Sequence, residues 1–300
     1  MVSMNRLSTE KRRAVIASLV EGNSIRATVR MTGVARMSVT KLLLDMGTVC
    51  SVYMDRTMRD LTCERVQCDE IWAFVYAKQR NVPPEKRGEA GDVWTWVAID
   101  ADTKLVPTFH IGPRDLASAT VFMTDLASRL RNRVQLTTDG LNKYLLAVEG
   151  AFDGNVDYAQ LVKMYGSDAD SRKPERRYSP SVCLGSEAVP VTGNPDPAHI
   201  STSYVERLNL TMRMSMRRYT RLTNAFSKKV ENLAAAVSLH FAHYNFCRVH
   251  QSLGTTPAVA AGVTDHVWTI DELIGLLEAA EATPVRRGPY KKRQPKSISS

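Results

Sequence analysis

The hydrophobic positions of residues 9–46 recur at helical spacing and predict three short helices. The first covers Thr9–Val20, the second follows Ser24 as its N-cap, and the third covers residues 35–44. Gly33 lies before the third helix, where a small residue permits the tight turn of a helix-turn-helix. The other interpretation is a plain three-helix bundle. In a helix-turn-helix, the third helix would present these side chains to the major groove of DNA: Arg36, Met37, Ser38, Thr40 and Lys41.

From residue 64 onward, the pattern changes to short apolar runs that are typical of strands. Both alternating faces of residues 66–75 are mostly apolar, which predicts a strand covered on both sides of a sheet. The predicted strands are 66–75, 92–100, 105–112, 134–140 and 156–164. One helix is predicted between the third and fourth strands, over residues 114–131, and a shorter one between the fourth and fifth. This order predicts an α/β fold of the ribonuclease H-like kind, a mixed five-stranded sheet flanked by helices.

The last part of the chain predicts a long loop followed by helices. Residues 166–198 are rich in Pro, Ser, Gly and charge without periodicity, so we interpret them as a flexible loop. A helix begins near Ser203, with Glu206 three residues later as its capping-box partner. Further helices are predicted over about residues 228–250 and about residues 269–280.

These elements divide the chain into four parts. Residues 1–47 form the helix-turn-helix domain and 48–63 a connector. Residues 64–260 form the α/β domain, and 261–300 a C-terminal helix with a basic tail.

The distribution of charge favours nucleic acid as a partner. The net charge is +9, and the pI is near 9.4. Residues 1–47 carry eight Lys/Arg against three acids, residues 206–229 seven against one, and residues 286–296 six against none. Each cluster alone could be an ordinary solvated face. Together they predict contacts with double-stranded DNA.

Composition argues against several other classes of protein. No apolar run approaches the roughly 18–20 residues that span a membrane, and no signal-peptide pattern occurs at the N-terminus. Five scattered cysteines indicate a reducing, cytoplasmic location, which DNA binding would make nucleoid-associated. The pair Cys63 and Cys68 lacks the spacing and the downstream partner of a zinc finger. One predicted helical face could bind a soft metal or pack against the core, and it holds His240, His243, Cys247 and His250.

Two carboxylates, Asp69 and Glu70, interrupt the apolar run of the first predicted strand. An ionised carboxylate in a buried strand is unfavourable unless it is paired or bound to a metal. Asp139 ends the fourth strand, which neighbours the first in a ribonuclease H-like sheet, and Glu206 would reach the same point from its helix. Asp139 could instead be a turn residue, and Glu206 a helix cap. Two rival ligands lie after the second strand, Asp100 and Asp102, although their sequence is typical of a hairpin turn.

Converging carboxylates need cations to remain ionised. Oxygen ligands suit Mg2+ or Mn2+. Two such ions about 4 Å apart can activate a water or a 3′-hydroxyl and stabilise the leaving oxygen of a phosphodiester. The basic residues after Glu206 could add charge stabilisation.

Several segments resemble the insertion-sequence-one family of DDE transposases, over roughly residues 64–260. The three principal ones are residues 68–75, 137–140 and 204–213, and the others are residues 94–100, 112–115 and 221–228. The chain departs from that family in lacking a clear N-terminal zinc knuckle and in extending beyond residue 260. The resemblance implies Asp69, Asp139 and Glu206 as catalytic ligands of two Mg2+ or Mn2+ ions. It also places Arg213 near the transferred DNA end and includes four residues of less definite role, His199, Arg207, Asn209 and Arg217.

The expected function is that of a prokaryotic transposase. It would bind the terminal inverted repeats of an element, cleave the 3′ ends, and join them to target DNA as a homodimer or larger synaptic assembly. One alternative is a domesticated, non-catalytic DNA-binding repressor. The other is a ribonuclease H-like nuclease that cuts without joining.

Overall fold

The computed structural model describes residues 6–165, 183–220 and 224–281, which form a mixed sheet flanked by helices. The strands are β1 (Arg65–Val75), β2 (Gly91–Asp100), β3 (Phe109–Gly112), β4 (Val134–Asp139), β5 (Val156–Tyr165) and β6 (Cys183–Thr192). The helices are α1 (Thr9–Val20), α2 (Ile25–Thr32), α3 (Arg36–Thr57), α4 (Leu116–Arg129), α5 (Lys143–Phe152), α6 (Ser203–Ser215), α7 (Val230–Ala242), α8 (Pro257–Ala260) and α9 (Ile270–Ala280). A π-helical turn, His243–Cys247, continues α7.

Strand β1 lies in the interior of the sheet, whose order is β3-β2-β1-β4-β5-β6. It pairs antiparallel with β2 and parallel with β4, and β5 runs parallel to β4. Helix α6 contacts one face of β1 at Gln67, and α5 contacts the other through Tyr144, which bonds Glu70. This burial on both sides explains the apolar pattern of β1. The expectation of a mixed α/β sheet flanked by helices is confirmed.

The third strand is shorter than the predicted 105–112, because β3 begins at Phe109. Val106 is buried, and its backbone N–H and C=O bond to the side chain of Asn245 at 3.0 and 2.9 Å. These backbone groups are therefore satisfied by a side chain instead of a neighbouring strand. Hydrophobic alternation cannot reveal such a bond, since Asn245 lies far along the chain.

Residues 183–192 form β6 within the segment that the sequence predicts as a flexible loop over residues 166–198. The rest of that prediction, residues 166–182, lies outside the described residues. β6 pairs antiparallel with β5 at the edge of the sheet. Most of its residues are exposed, so it lacks the alternation of a half-buried strand. Its Pro190 is tolerated because an edge strand has an unpaired side. The prediction of five strands is therefore corrected to six.

Helix α3 extends to Thr57, through most of the predicted connector 48–63. Met46, Cys50 and Met54 are buried at four-residue spacing and continue its inner face. Gly47 lies inside this helix although glycine has a low helix propensity. In the fold it permits close packing, since a Cβ there would lie 2.4 Å from Cα of Ala235 in α7.

The first three helices begin where the sequence predicts them. Ser24 caps α2 by accepting a bond of 3.1 Å from Ala27 N, and Gly33 adopts a φ of 67° at its end. Helix α9 packs against α1, and Arg12 pairs with Glu281 at 2.8 Å. The helix-turn-helix assignment and the domain boundaries stay predictions, and the basic tail, residues 286–296, lies outside the described residues. No described helix is long and apolar enough to cross a membrane.

Candidate functional site

Asp69 and Asp139 are brought together by the parallel pairing of β1 and β4. Cys68 pairs with Thr138, so the next residue of each strand is a carboxylate. Strand β4 ends at Asp139, whose Oδ1 accepts a bond of 3.1 Å from Leu141 N. The structure thus places these two predicted ligands side by side.

Glu206 lies in the first turn of α6 and lines the same cavity as Asp69 and Asp139, with a volume of about 650 Å³. Its carboxylate accepts hydrogen bonds from Lys163 Nζ and Thr202 Oγ1. The N-cap of α6 is Thr202, so the capping box predicted between Ser203 and Glu206 is corrected. Glu206 bonds two side chains instead of a backbone N–H. Its carboxylate is therefore held at the cavity wall by contacts from β5 and from its own helix start.

Glu70 adds a further carboxylate to the pair on the strands. Asp69, Glu70 and Asp139 each offer an oxygen, and these three atoms lie within 4.8 Å of one another. Glu206 is not part of this closer group. The side chain of Glu70 is only 2% exposed. Its oxygens accept bonds from Arg114 Nε at 2.6 Å and from the hydroxyl of Tyr144 at 3.1 Å.

When ionised, the carboxylates of Asp69, Glu70 and Asp139 carry more negative charge than the neighbouring Arg114 compensates. Burial, together with the charges of Asp139 and Glu206, raises the pKa of Asp69 to about 6. Burial also raises the pKa of Glu70 and of Asp139, and Arg114 opposes both shifts. A cation at this site would therefore favour the ionised carboxylates.

Arg114 is the basic side chain that contacts the closer group. It follows β3, and its guanidinium lies 2.5 Å from Glu70 Oε1 and 3.6 Å from Asp139 Oδ2. The next residue, Asp115, caps α4 by accepting a bond of 2.9 Å from Ser118 N. The start of α4 therefore fixes the turn that carries Arg114.

Two side-chain bonds fix α6 against β1. Gln67 Oε1 accepts bonds of 2.9 and 3.2 Å from Tyr204 N and Val205 N, which are free backbone donors of the first turn. One turn later, Asn209 Nδ2 donates to Asp69 Oδ2 at 2.8 Å. Glu206 lies between these two attachments along the helix, so its position relative to β1 is set from both sides.

The side chains predicted to contact DNA lie outside the carboxylate cavity. On α3, Arg36 and Lys41 are exposed, and Ser38 and Thr40 are half-buried. Lys41 pairs with Asp45 at 2.5 Å. Three more lie on α6 or just after it: Arg207 and Arg217, which are exposed, and Arg213, which is half-buried.

The rival ligands after β2 serve a turn. Asp100 is 1% exposed and accepts a bond of 3.2 Å from Thr103 N. Asp102 pairs with Arg65, which also contacts His199 Nδ1 at 2.9 Å. Asp100 pairs with Val66 in the sheet, and Val66 lies three residues before Asp69 on β1. The turn that follows Asp100 lies beyond this pair.

The side chains of the histidine and cysteine face are not grouped closely enough to share an ion. In residues 6–165, 183–220 and 224–281, the group of Asp69, Glu70 and Asp139 is the one set of three metal-ligating side chains close enough to share an ion. His240 is buried and lies 5.3 Å from the ring of Phe241 between ring centroids. Of the two interpretations of this face, packing against the core is the one that the structure shows.

Four residues of the site have no role in the sequence prediction: Glu70, Arg114, Tyr144 and Lys163. The burial argument that singles out Asp69 applies equally to Glu70, so that residue could have been found. Arg114 and Tyr144 meet Glu70 only through the packing of distant segments. Lys163 reaches Glu206 from β5. Neither periodicity nor residue spacing predicts these three contacts.

The residues present fit a hard divalent cation. Asp69, Glu70 and Asp139 supply closely spaced oxygen atoms, which are the ligands that Mg2+ and Mn2+ prefer. Beside them, Oδ1 of Asn209 is buried and has no hydrogen-bond partner among the described residues. This group of side chains could therefore bind a metal ion.

The sequence matches no protein-family model and no curated protein. Among solved structures, the chain is similar to the Mos1 transposase paired-end complex with left transposon end, at 12% identity and a TM-score of 0.24. That match covers 53% of this chain and 60% of the Mos1 chain, so this chain spans about three fifths of the length of that protein. A Mos1 mariner paired end complex with Mn matches similarly, at 12% identity and a TM-score of 0.23, over 53% of this chain and 60% of that one.

A piggyBac transposase synaptic complex with hairpin DNA is similar over 95% of this chain and 76% of that one, at 11% identity and a TM-score of 0.37. With TM-scores below 0.5, these similarities carry no weight in assigning the function. We infer the function from the site itself.

Proposed function

We propose that the chain is a DDE transposase that binds the terminal inverted repeats of a mobile element, cleaves DNA 3′ ends and joins them to target DNA. The observation that carries the proposal is the arrangement of Asp69, Asp139 and Glu206 around one cavity. They come from β1, β4 and the first turn of α6. The resemblance of these three segments to the insertion-sequence-one family supports the same residues.

The topology supports a ribonuclease H-like core for this site. The first five strands lie in the order β3-β2-β1-β4-β5. The first three form an antiparallel meander, and β4 and β5 run parallel to β1. Strand β6 would then be an addition at the edge of that core.

The acidic residues come from different elements, and neighbouring side chains would hold them in position. Asp69 and Asp139 would hold metal ions from adjacent strands, and Asn209 would keep the Asp69 carboxylate oriented. Glu206 would complete the set from α6. Two Mg2+ or Mn2+ ions, when bound, would activate the attacking water or 3′-hydroxyl and stabilise the leaving oxygen. Arg114 would compensate part of the remaining charge by holding Glu70.

The basic side chains would supply the contacts with DNA. Four residues at the start of α3 would enter the major groove as a helix-turn-helix: Arg36, Ser38, Thr40 and Lys41. Those on and after α6 would contact the DNA end near the cavity: Arg207, Arg213 and Arg217. Because two ends must be cut and joined together, we expect a homodimer or a larger synaptic assembly.

Two other functions use the same fold. A non-catalytic repressor would bind DNA without cleavage. The closely spaced carboxylates disfavour it, since negative charge beside DNA weakens binding. A nuclease that cuts without joining would need the same acids and would differ only in the second reaction.

Labelled DNA that carries both ends of the element distinguishes these functions. We expect 3′-end cleavage and a joined product in Mg2+ or Mn2+, and neither product in EDTA. Asp69→Asn should abolish both products while leaving DNA binding intact. Asp153→Asn is the matched control, because Asp153 is exposed and has a positive φ that asparagine tolerates. Cleavage by Asp69→Asn at the wild-type rate would refute the assignment, and binding without cleavage in either metal would indicate the repressor.

A further inference from the structure

A second cavity, of about 510 Å³, lies between the N-terminal helices and the segment after α6. Its walls come from α1, α2, α3, α7 and the residues between α6 and α7. It shares no lining residue with the carboxylate cavity. Among the described residues that line it, five are basic and none is acidic: Arg26, Arg36, Arg217, Arg218 and Lys228. This imbalance favours an anionic ligand.

Among these basic residues, Arg218 provides the strongest evidence for an anionic ligand. Its Nε donates a bond of 2.8 Å to Ser227 Oγ, which fixes the guanidinium at the cavity wall. Burial lowers the pKa of Arg218, and none of the described carboxylates forms an ion pair with it. A half-buried guanidinium without an anion is partly desolvated, which is unfavourable. A phosphate in the cavity would offset that cost, since the guanidinium fork matches phosphate oxygens.

His240 supplies a second, independent observation. The residue is 5% exposed and lines the cavity, yet its Nε2 has no hydrogen-bond partner among the described residues. Burial lowers the pKa of His240 to about 3, so the ring is neutral at pH 7. A neutral imidazole can donate or accept one bond at this nitrogen. Because Nε2 is closed to solvent, a ligand would satisfy it only if the ring turned to bring this nitrogen to the cavity surface.

The rest of the wall suits a flat, mostly apolar group. Leu19 and Leu239 line the cavity together with the ring of Phe226. Phe226 packs against Phe74, at 5.0 Å between ring centroids. The side-chain amide of Asn224 can donate and accept at the edge of a base. The volume falls within the roughly 300–1,000 Å³ of small-molecule sites and far exceeds a phosphate ion.

From this combination, we propose that the cavity binds a single nucleotide, with its phosphate on Arg218 and its base against Phe226. The nucleotide could be free, or it could be an unpaired nucleotide of a DNA strand. A base-paired duplex cannot enter a cavity of this size, so a nucleotide from DNA would have to leave the stack. The site is separate from the proposed catalytic centre, and its occupancy needs no cleavage reaction.

Binding is measured by calorimetry on the full chain in EDTA, so that metal-dependent chemistry does not contribute. The ligands are deoxynucleoside monophosphates, inorganic phosphate, a fully paired duplex, and the same duplex with one unpaired nucleotide. We expect the monophosphates to bind more tightly than phosphate. The duplex with the unpaired nucleotide should bind more tightly than the paired one if the nucleotide comes from DNA, and the two duplexes should bind alike if the ligand is free.

Two variants test the assignment to this cavity. Arg218→Gln should weaken nucleotide binding about tenfold or more through the lost charged hydrogen bonds. Arg131→Gln removes the same charge at an exposed position outside this cavity and should bind as the wild type. Ala225→Trp should block binding by filling the cavity from a half-buried position without changing the charge. Thermal unfolding of each variant shows that it is folded.

Three results would overturn the inference: no monophosphate binding, equal affinity for inorganic phosphate, or unchanged binding by both Arg218→Gln and Ala225→Trp. If DNA cleavage succeeds while nucleotide binding fails, this inference alone is wrong. If nucleotides bind as expected while cleavage fails, the proposed transposase activity is wrong and the nucleotide site remains.

Discussion

Asn209 Nδ2 donates a hydrogen bond of 2.8 Å to Asp69 Oδ2 and thereby joins α6 to β1 at the carboxylate group. Asn209 is 5% exposed, so water does not replace this bond readily. The bond lowers the pKa of Asp69, against the larger effect of burial, which raises it. The orientation of Asp69 therefore depends on the helix that also carries Glu206.

Asn209→Ala should reduce metal-dependent cleavage about 10- to 100-fold, because Asp69 loses the partner that orients it as a ligand. Cleavage rates measured over a range of Mg2+ concentrations should show a higher metal requirement as well as a lower rate. Asn155→Ala, at an exposed position before β5, is the control and should keep wild-type cleavage. An unchanged metal requirement in Asn209→Ala would argue that Asp69 is not a ligand.

Arg114→Gln should lower the free energy of unfolding in EDTA at pH 7 by about 1–2 kcal/mol. Breaking a buried ion pair costs several kcal/mol, and we discount that figure because the Arg114 side chain is 42% exposed. Urea unfolding measures the change, with Arg131→Gln as the control. Added Mg2+ should restore part of the loss by binding the same carboxylates. An equal loss with and without Mg2+ would contradict metal binding at this group.

The sequence predicts the carboxylates of the site better than it predicts the side chains that contact them. Asp69 can be found because a charge in a doubly apolar strand is unfavourable, and Asp139 because it ends the neighbouring strand. Glu206 follows from a resemblance as well as from its place on a helix. Arg114 and Lys163 depend on how distant segments pack, and neither periodicity nor spacing encodes that packing.

The same distinction holds for the fold. Strands with a buried face are predicted well, whereas β6 is missed because its residues are mostly exposed. Helix α3 is predicted to end at residue 44, whereas the structure continues it through Gly47 to Thr57. A glycine is required at position 47 because α3 packs closely against Ala235 of α7. The sequence alone does not show this contact.

Gly47→Ala should destabilise the protein by about 1–3 kcal/mol, because the added methyl group overlaps the backbone of Ala235. Gly275→Ala is the matched control in helix α9, where a Cβ would meet nothing within 4 Å. That variant should be neutral or more stable by up to about 1 kcal/mol, since alanine has the higher helix propensity. Urea unfolding compares the two variants. Equal effects would mean that α3 and α7 do not pack this closely.

The stability of the metal-free protein should fall with rising pH through the titration of Asp69. Its pKa is raised to about 6 in the folded protein, against about 3.9 in an unfolded chain. The folded state therefore binds more protons between these values, so the contribution of Asp69 is favourable below about pH 4 and is lost as the pH rises to about 6. Asp69→Asn removes this contribution. In EDTA, the wild type should lose stability relative to Asp69→Asn between pH 4 and 6, and parallel curves would show that Asp69 is not buried as described.

Lys41→Ala should weaken binding to the element ends if α3 enters the major groove. Lys41 is exposed on α3 and pairs only with Asp45, one turn further along the helix, among the described residues. Loss of one phosphate contact should reduce the dependence of log affinity on log salt concentration by about one unit. Fluorescence anisotropy in EDTA at several salt concentrations measures this slope.

Lys11→Ala is the matched control for that experiment, since Lys11 is an exposed lysine on α1. If both variants reduce the slope equally, the N-terminal helices bind DNA through a general basic surface, and the helix-turn-helix prediction is wrong. If Lys41→Ala alone reduces it, α3 is the helix that contacts DNA. The result is independent of the carboxylate site, because Lys41 lines neither cavity.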